Sequence, residues 1–380
     1  MTDRFKPGPI PGMAEATRLT QAGQLTEATA HIQRMLTGAA SSPADDAIEG
    51  DFHRLDEPAV GSTPRQVRPR TPLAETLRSI AAGGMPSQTL RTGSGPAVPQ
   101  GASFTTHTHA GPQGSRDYML FLPSCAATAT TPLPLVVMLH GCTQSPADFA
   151  TGTGMNALAD AQGVIVAYPA QTQGANMSKC WNWFRPGDQG RDGGEPAVLA
   201  GITRDIVRHH NADPAQTYVA GLSAGAAAAV ILAQAYPDLF AAVGVHSGLP
   251  AGAARDVPSA MAAMRTGVAG TRLTHAIPTI VFHGTGDHTV DIKNGQAVAK
   301  QAQQGFAGKT QMTKRQTNGG RRSDIAAQTL SDGRTSCELW LIDGAPHAWA
   351  GGDPAGSYTD PTGPDASAEM LRFFAQHRLE

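Results

Sequence analysis

A single serine, Ser223, stands between two glycines where the chain changes character. The preceding run Thr217–Ala220 favours a strand, and the alanine-rich run Ala224–Ala235 favours a helix. A strand that passes directly into a helix here must turn sharply, and Gly221 and Gly225 would let the two elements pack closely. Such a turn exposes the serine oxygen beside the amide groups of a helix N-terminus, which is typical of a nucleophile. The structural alternative is an ordinary serine in a tight turn.

A carboxylate and an imidazole follow two later apolar runs. The segment HGTGDHTV comes after Thr279–Phe282 and contains Asp287, and DGAPHAWAGG comes after Leu339–Ile342 and contains His347. Asp291 is the second candidate for the acid, although its place before the next helical pattern also suits a helix cap. Because functional groups gather at the carboxyl ends of parallel strands, both segments are candidate parts of one site.

The order Ser223, Asp287, His347 is the chain order of the triad in α/β-hydrolases. One strand and one helix separate successive members, as that fold requires. We therefore predict that Ser223 is the nucleophile, that His347 is the base and that Asp287 orients it. His246 also follows an apolar run, but its strand comes directly after the helix of the nucleophile and before the acid, so it is the weaker candidate.

An acyl-transfer site also needs two N–H donors for the oxyanion. One is the amide of the residue after the nucleophile, Ala224, and the other belongs to the loop after an earlier strand. The segment His140 to Gln144 (HGCTQ) follows the apolar run Leu135–Leu139, and the amide of Cys142 is the best candidate there. The thiol of Cys142 is a poor candidate nucleophile. We expect His140 to support this loop, and we count His140 and Gln144 among the residues near the substrate.

Residues 171–194 form a long loop at the same end of the predicted sheet. It carries Trp181, Trp183 and Phe184 in a chain in which aromatic residues make up only 5%. Loops at this edge usually shape the pocket, so we predict that Trp181 and Trp183 line a cleft for an apolar or sugar-like ester. The alternative is that these side chains pack the loop against the core.

Short apolar runs that alternate with helical patterns predict a mostly parallel, doubly wound α/β sheet covered on both faces. The runs are Leu135–Leu139, Val164–Tyr168, Thr217–Ala220, Ala241–Val245, Thr279–Phe282 and Leu339–Ile342, after an antiparallel pair formed by SFTTHTHA and RDYMLFLP. The predicted helices are Gly194–His210, Ala224–Ala235, Asn294–Gln304 and Asp365–His377.

The chain divides by composition into three parts. Residues 1–37 have apolar residues at helical spacing, residues 38–101 are a Pro/Ser/Gly-rich linker, and residues 102–380 are the predicted α/β-hydrolase domain. We expect 1–37 to be an amphipathic helical segment that docks to a partner or a granule surface.

Charge and composition narrow the function classes. With 29 Lys and Arg against 31 Asp and Glu, the chain shows no general nucleic-acid surface. No apolar run is long enough to predict a spanning helix, and the N-terminus shows no secretory signal, which favours the cytoplasm. The four cysteines have no metal-ligand spacing, and the chemistry needs no cofactor or metal. The pairing of Cys125, Cys142, Cys180 and Cys337 stays open.

Several blocks together resemble the poly(3-hydroxybutyrate) depolymerase esterase family, which is similar to the feruloyl and acetylxylan esterases of carbohydrate esterase family one. They include HGCTQ, CWNWF, YVAGLSAGAA, YPDLFAAVGVHSGL, VFHGTGDHTV and GSYTDPTGPDAS. The resemblance runs from about residue 102 to the C-terminus. It implies an α/β-hydrolase that cleaves carboxylic esters with Ser223, Asp287 and His347, with Cys142 in the oxyanion loop and Trp183 near the substrate.

We therefore expect a serine esterase acting on poly(3-hydroxybutyrate)-like polyesters, their oligomers or short acyl esters. A feruloyl or acetylxylan esterase is the alternative, and an inactive hydrolase-fold binding protein is the alternative of another class. No C-terminal polymer-binding domain is evident, so we expect soluble oligomers or small esters at least as readily as solid polymer. The resemblance leaves an extracellular location open.

Overall fold

A ten-stranded sheet, with parallel strands at its centre, is the framework of the protein. The computed structural model describes residues 95–316 and 320–380. The predicted N-terminal segment 1–37 and the linker up to residue 94 lie outside the described residues, so those predictions stay as they are.

The strands of this sheet are β1 (Ser103–Gly111), β2 (Gly114–Leu122), β3 (Leu133–Leu139), β4 (Ile165–Pro169), β5 (Ala212–Leu222), β6 (Ala242–His246), β7 (Thr279–Gly284), β8 (Lys309–Gln316), β9 (Arg322–Thr329) and β10 (Thr335–Ile342). The short strands β11 (Trp349–Ala350) and β12 (Thr359–Asp360) pair with each other. The helices are α1 (Pro146–Thr153), α2 (Met155–Gln162), α3 (Gly194–His209), α4 (Ala224–Ala235), α5 (Val257–Thr266), α6 (Ile292–Gln303) and α7 (Ala366–Phe374).

The strand order is β1-β2-β4-β3-β5-β6-β7-β10-β9-β8. The six strands from β4 to β10 in this order pair in parallel, and the antiparallel strands β1 and β2 close one edge while β9 and β8 close the other. This confirms the predicted α/β architecture and the predicted antiparallel pair. The carboxyl ends of the parallel strands therefore meet along one edge, where the candidate site lies.

Both faces of the central strands are buried, which explains their unbroken apolar sequence. In β3, Leu135, Val137 and Leu139 pack into one cluster with residues of α3, α4 and α6. The alternating residues Val136 and Met138 pack into a second cluster with residues of α1, α2 and α7. A strand covered by helices on both sides cannot show the alternation of apolar and polar residues that marks a half-exposed strand.

Three helices (α1, α2 and α5) and four strands (β8, β9, β11 and β12) were not predicted. Helices α1 and α5 begin after Ser145 and Asp256, whose side chains accept hydrogen bonds from the first-turn amides, so their capping residues were available as signals. Strands β8 and β9 are polar and lie at the open edge of the sheet, where residues 309–315 of β8 are all exposed and β9 is only partly buried, so no continuous apolar run is needed. None of the described helices is long and apolar enough to cross a membrane.

Candidate active site

The turn that carries Ser223 joins the end of β5 to the start of α4. Ser223 has φ 57° and ψ −119°, a backbone conformation that L-residues rarely adopt. A Cβ on Gly221 would lie 2.5 Å from the carbonyl of Gly225, and a Cβ on Gly225 would collide with the carbonyl oxygens of Leu139 and His140. The glycines are therefore required by the close approach of β5, α4 and the end of β3, and the turn places the largely buried Ser223 at the head of the helix, in the wall of the cavity.

Asp287 and His347 come together from the ends of β7 and β10. The Nδ1 atom of His347 donates to Oδ2 of Asp287 over 2.7 Å. The other carboxylate oxygen accepts the amides of Thr289 and Val290, each at 2.9 Å. Burial raises the pKa of Asp287, but the hydrogen bonds from His347 and Val290 and the positive charge of His347 outweigh it and lower that pKa below its ordinary value of 3.8. The carboxylate thus stays ionised and orients the imidazole.

The alternative acid and the alternative base have other partners. The side chain of Asp291 accepts the amide of Lys293 at the start of α6, which is the helix-capping role considered for it. His246 is buried, and its Nε2 accepts the amide of Ala350 over 3.0 Å. Burial lowers the pKa of His246 to about 3, so this ring stays neutral and is held as a structural acceptor.

Ser223 and His347 line the same small cavity, whose volume is about 30 Å³. Its other lining residues are Gly141, Cys142, Gln144, Leu222, Thr289 and Tyr358. This volume is far below the roughly 300–1,000 Å³ typical of small-molecule sites, so the cavity next to Ser223 is narrow. Ser223 and His347 therefore lie at one cavity, although 124 positions separate them in the sequence, and Asp287 is hydrogen-bonded to His347.

Two amides near Ser223 have no hydrogen-bond acceptor within residues 95–316 and 320–380. One belongs to Cys142, which lines the cavity, and the other to Ala224, which directly follows Ser223 in the chain; these are the two donors expected from the sequence. The loop with Cys142 is held by Gly141, whose amide donates to Oε1 of Gln144 over 2.9 Å. Unpaired amides beside a nucleophile are suited to bind an oxyanion.

The sequence of this chain is similar to those of known esterases. The family model described as Esterase PHB depolymerase matches residues 116–325, which is more than half of the chain. The chain belongs to this family. The match includes the serine turn and Asp287, and His347 lies beyond it.

Curated relatives of this PHB depolymerase family member include depolymerases and polysaccharide esterases. The chain is 36% identical over 182 residues to poly(3-hydroxyalkanoate) depolymerase C of Paucimonas lemoignei, covering 44% of this chain and 44% of the relative. It is 28% identical over 285 residues to poly(3-hydroxybutyrate) depolymerase of Ralstonia pickettii, covering 67% and 57%. The probable acetylxylan esterase A of Aspergillus fumigatus is 32% identical over 148 residues, covering 39% and 38%. The matches thus span about half the length of these relatives.

A solved structure shares the fold. The acetyl xylan esterase from Aspergillus awamori superposes with a TM-score of 0.53 at 19% identity, covering 72% of this chain and 99% of that one. Together with the sheet topology, this identifies the described domain as an α/β-hydrolase.

A disulfide joins Cys142 of this family member to Cys180, 38 residues further along. Within the described residues, which include all four cysteines, Cys125 and Cys337 are unpaired, and Cys337 is buried. The bond ties the loop with the unpaired Cys142 amide to the long loop of residues 171–194. Sequence reasoning left this pairing open because it depends on how the two loops approach each other.

His140 and Trp181 lie behind the cavity instead of lining it. His140 accepts the amide of Gln171 at Nε2 over 3.1 Å, and its carbonyl accepts the indole N–H of Trp181 over 3.0 Å. Both side chains are buried, and burial lowers the pKa of His140 to about 4. Their polar atoms are paired with the loops that frame the site, and a contact of either side chain with substrate stays a prediction.

The other two predicted substrate residues differ from each other. Trp183 is buried, with its ring 5.7 Å from that of Phe184, and it does not line the cavity in this structure, so a contact with substrate stays a prediction. Gln144 lines the cavity, but its side-chain amide bridges Gly141 and Asp148. Gln144 therefore holds the loop in place from within the cavity wall.

Three residues that shape the site were missed by the sequence analysis, namely Asp148, Tyr358 and Glu195. Asp148 accepts from Gln144 and from the amide of Ser357 over 3.0 Å each, which fixes the segment with Tyr358 against the Cys142 loop. Tyr358 then forms part of the cavity wall. The segment GSYTDPTGPDAS contributes to the family resemblance, but no local sequence pattern predicts that it packs against residues more than 200 positions earlier.

Glu195 holds the long loop from the other side. Its buried carboxylate accepts the backbone and side-chain amides of Asn182, each over 2.7 Å, and also the side-chain amide of Gln171. Burial raises the pKa of Glu195 despite these hydrogen bonds. The position of Glu195 in the first turn of a helix was the available sequence signal.

Proposed function

We propose that the protein is a serine esterase that hydrolyses carboxylic esters through an acyl-enzyme. The observation that carries this proposal is the hydrogen bond from His347 to a buried Asp287 at the edge of the cavity that Ser223 also lines. The strained turn at Ser223 and the unpaired amides of Cys142 and Ala224 supply the remaining parts of an acyl-transfer site.

The reaction follows from these positions. Ser223 Oγ attacks the ester carbonyl carbon while Nε2 of His347 takes its proton, and Asp287 stabilises the resulting imidazolium. The amides of Cys142 and Ala224 donate to the oxyanion of the tetrahedral intermediate. His347 then protonates the leaving alcohol, and a water deprotonated by the same ring cleaves the acyl-enzyme. The carboxylic acid leaves and Ser223 regains its proton.

We propose polyester-type substrates, chiefly soluble oligomers of hydroxy acids and short acyl esters. The similarity to the depolymerases of Paucimonas lemoignei and Ralstonia pickettii supports the class of ester. The small cavity favours a short acyl group at the reacting carbon, because a bulky acyl chain needs more room next to the nucleophile.

A polysaccharide esterase is the second candidate. Its support is the similarity to acetylxylan esterases and to the feruloyl esterase B of Neurospora crassa, which is 34% identical over 136 residues. An acetyl group is no larger than a short hydroxyacyl group, whereas a feruloyl group is much larger, so the small cavity favours acetyl over feruloyl esters within this class. The two classes of substrate therefore have to be compared directly.

The test is hydrolysis by the wild type, Ser223→Ala and Ser124→Ala, an exposed serine outside the site. The panel holds p-nitrophenyl acetate, butyrate and octanoate, 3-hydroxybutyrate oligomers, acetylated xylan and methyl ferulate. Ser223→Ala should lose at least about 10⁴-fold in kcat, because removing a triad nucleophile leaves only binding and oxyanion stabilisation. Turnover that survives in Ser223→Ala would refute the proposed nucleophile, and preference for acetylated xylan or ferulate would favour the second candidate.

Labelling by a fluorophosphonate distinguishes an enzyme from an inactive binding protein with the same fold. The wild type and Ser124→Ala should react at one site, and Ser223→Ala should not. A wild type that folds but neither reacts with the probe nor turns over any ester would be a binding protein.

The pattern of residues 1–37 supports a docking role separate from turnover. The proposed partner is another protein or a granule surface. Removing these residues should change localisation in cells and leave the rate on small soluble esters unaltered.

A further inference from the structure

Glu195 is a buried carboxylate whose side-chain partners are all hydrogen-bond donors. Its Oε2 atom accepts the backbone amide of Asn182 over 2.7 Å, and its Oε1 atom accepts the side-chain amides of Asn182, over 2.7 Å, and of Gln171. Only 8% of Glu195 is exposed, so the protein itself must satisfy the carboxylate. An ionised carboxylate offers acceptors alone, whereas a carboxamide or a protonated acid of the same size also presents a donor. Three donors around one group therefore require the ionised form.

The direction of these hydrogen bonds is fixed by the surrounding backbone. The backbone amide of Thr172 donates to Oε1 of Gln171 over 3.1 Å, so Nε2 of Gln171 is the atom that faces the carboxylate. Nδ2 of Asn176 donates to Oδ1 of Asn182 over 3.1 Å, and the backbone amide of Ser178 donates to Oδ1 of Asn176 over 3.0 Å. Because a backbone N–H can only donate, each side-chain amide has one orientation that satisfies all its partners.

Gln171 connects the carboxylate with the loop that carries the Cys142 amide. The side-chain amide of Gln171, held by Glu195, also donates to the carbonyl of Cys180 over 2.9 Å. Cys180 is joined to Cys142 by the disulfide. The backbone amide of Gln171 donates to Nε2 of His140 over 3.1 Å, and His140 stands two residues before Cys142. Gln171 thus contacts that loop directly at His140 and, through Cys180, at Cys142.

The long loop of residues 171–194 also contacts the chain on both sides of Cys142. The indole N–H of Trp181 donates to the carbonyl of His140 over 3.0 Å, and the carbonyl of Ser178 accepts the amide of Thr143 over 2.7 Å. The Cys142 amide has no acceptor of its own among the described residues, so its position depends on these neighbouring contacts. A displacement of the long loop is therefore transmitted to the donor at the cavity.

We propose that the ionised Glu195 is a positioning residue for the oxyanion site, because it holds Gln171 and thereby the amide of Cys142. Glu195 does not line the cavity, so it acts only through these neighbours. The inference rests on the proposed esterase function, since an oxyanion forms only if Ser223 attacks an ester. A donor to the developing oxyanion stabilises the transition state more than the bound substrate, so loss of its position should lower kcat and leave KM nearly unchanged.

The experiment compares Glu195→Gln with the matched control Glu338→Gln. Glu195→Gln keeps the size of the side chain but turns one acceptor into a donor that faces another donor. Glu338 is also a buried carboxylate, 6% exposed, which accepts the indole N–H of Trp340 over 3.0 Å and the guanidinium of Arg372 over 2.6 Å and does not line the cavity. Urea unfolding of both variants is measured in parallel, so that an effect on stability is separated from an effect on the site.

A substrate and an inhibitor report on different states of the reaction. Hydrolysis of p-nitrophenyl butyrate gives kcat and KM, and a short trifluoromethyl ketone forms a hemiketal with Ser223 whose oxygen carries the negative charge of the intermediate. Glu195→Gln should lower kcat by about 10- to 100-fold with little change in KM, less than the roughly 10²- to 10³-fold loss on removing an oxyanion donor outright. Its affinity for the ketone should fall by a similar factor. Glu338→Gln should retain the kcat and the ketone affinity of the wild type.

Gln171→Met tests the route. It removes the side-chain amide but keeps the backbone amide that donates to His140. If Glu195 acts through Gln171, the loss of kcat in the double variant Glu195→Gln/Gln171→Met is smaller than the product of the two single losses. Effects that multiply would overturn the route through Gln171 and with it the inference. If Glu195→Gln does not fold, Gln171→Met alone decides: a joint fall in kcat and ketone affinity supports the inference, and unchanged values overturn it.

Three further results separate this inference from the proposed function. If Glu195→Gln folds and keeps the kcat and the ketone affinity of the wild type, Glu195 only stabilises the long loop, and the inference fails while the esterase function stands. A fall in kcat without a fall in ketone affinity has the same consequence, since the lost interaction is then not with the oxyanion. If the wild type hydrolyses no ester and does not bind the ketone, both proposals fail together.

Discussion

At the scale of single residues, the histidines around the site show how surroundings set the role of one residue type. His347 is held by Asp287 at the cavity, whereas His246 and His140 are buried and accept backbone amides. His283 is buried beside Asp287 and donates to the carbonyl of Val290 over 2.8 Å. Burial alone lowers the pKa of a histidine, because the charged ring loses its hydration. Of the four, His347 alone lines the cavity, and its 2.7 Å contact with Oδ2 of Asp287 is shorter than the 3.5 Å contact that His283 makes with the same atom.

The buried neutral histidines predict acid sensitivity. The pKa of His246 is about 3 in the folded protein against an ordinary value of 6.5, so below pH 6.5 the unfolded chain binds a proton that the folded chain does not. The contribution of the neutral His246 ring to the free energy of unfolding is fully present above pH 6.5 and decreases as the pH is lowered toward 3. At pH 5 the loss is about 2 kcal/mol. Urea unfolding at pH 7.5, 6 and 5 measures this loss.

His246→Gln is the variant that isolates this contribution, since its Oε1 can replace Nε2 as acceptor for the amide of Ala350. The free energy of unfolding of this variant should be lower than that of the wild type at pH 7.5. Its decrease with falling pH should be less steep, and the two slopes should differ by up to about 1.4 kcal/mol per pH unit. An unchanged slope would mean that His246 does not cause the acid sensitivity.

At the scale of elements, the turn from β5 to α4 depends on the absence of side chains. Helix propensity alone predicts that Gly225→Ala stabilises α4 by about 1 kcal/mol. The added Cβ would collide with backbone oxygens of Leu139 and His140, which cannot move without displacing the end of β3. We expect the cost of this collision to exceed the gain in helix propensity.

We therefore expect Gly225→Ala to lower the free energy of unfolding by about 1–3 kcal/mol, the usual cost of overpacking, and to reduce kcat by displacing Ser223. Gly174→Ala is the matched control, because a Cβ there meets nothing within 4 Å. Urea unfolding and p-nitrophenyl butyrate turnover measure both effects. Equal behaviour of the two variants would show that the packing at Gly225 is not critical.

The disulfide between Cys142 and Cys180 connects two loops that frame the site. Closing a loop of 38 residues contributes up to about 4 kcal/mol by restricting the unfolded chain. The double variant Cys142→Ala/Cys180→Ala should lose stability of this order. Its kcat should fall too, because the Cys142 amide is then held less firmly.

A reducing agent gives the complementary measurement. Dithiothreitol should lower the unfolding temperature of the wild type and of Cys125→Ala, an exposed unpaired cysteine, but not that of the double variant. If the reductant has no effect on the wild type, the bond does not contribute measurably to stability.

At the scale of the whole molecule, all ten strands of the main sheet and every residue of the candidate site lie between residues 95 and 380. A variant that starts at residue 95 should therefore fold cooperatively and keep the kcat/KM of the full chain on p-nitrophenyl butyrate. Size-exclusion chromatography, thermal unfolding and ester hydrolysis measure this. Loss of turnover in a folded variant would assign the first 94 residues a part in the site.

Most of the parallel sheet was predictable, because strands buried on both faces require continuous apolar runs. The strands β8 and β9 were not, since a polar, largely exposed strand at the edge of a sheet is held by pairing with its neighbour instead of by its own apolar residues. Helices α1 and α5 are short and were missed although their capping residues stand in the sequence.

The sequence by itself determined the order of the candidate triad, the strand ends that carry it and the need for glycine around Ser223. These features depend on local sequence pattern and on the connectivity of parallel strands, and both can be inferred from the sequence. Only the tertiary structure decided that His347 pairs with Asp287 and not Asp291, that Cys142 bonds to Cys180 and that Tyr358 faces the cavity. Each of these depends on the approach of loops distant in sequence, and packing of the whole domain, not local propensity, sets that approach.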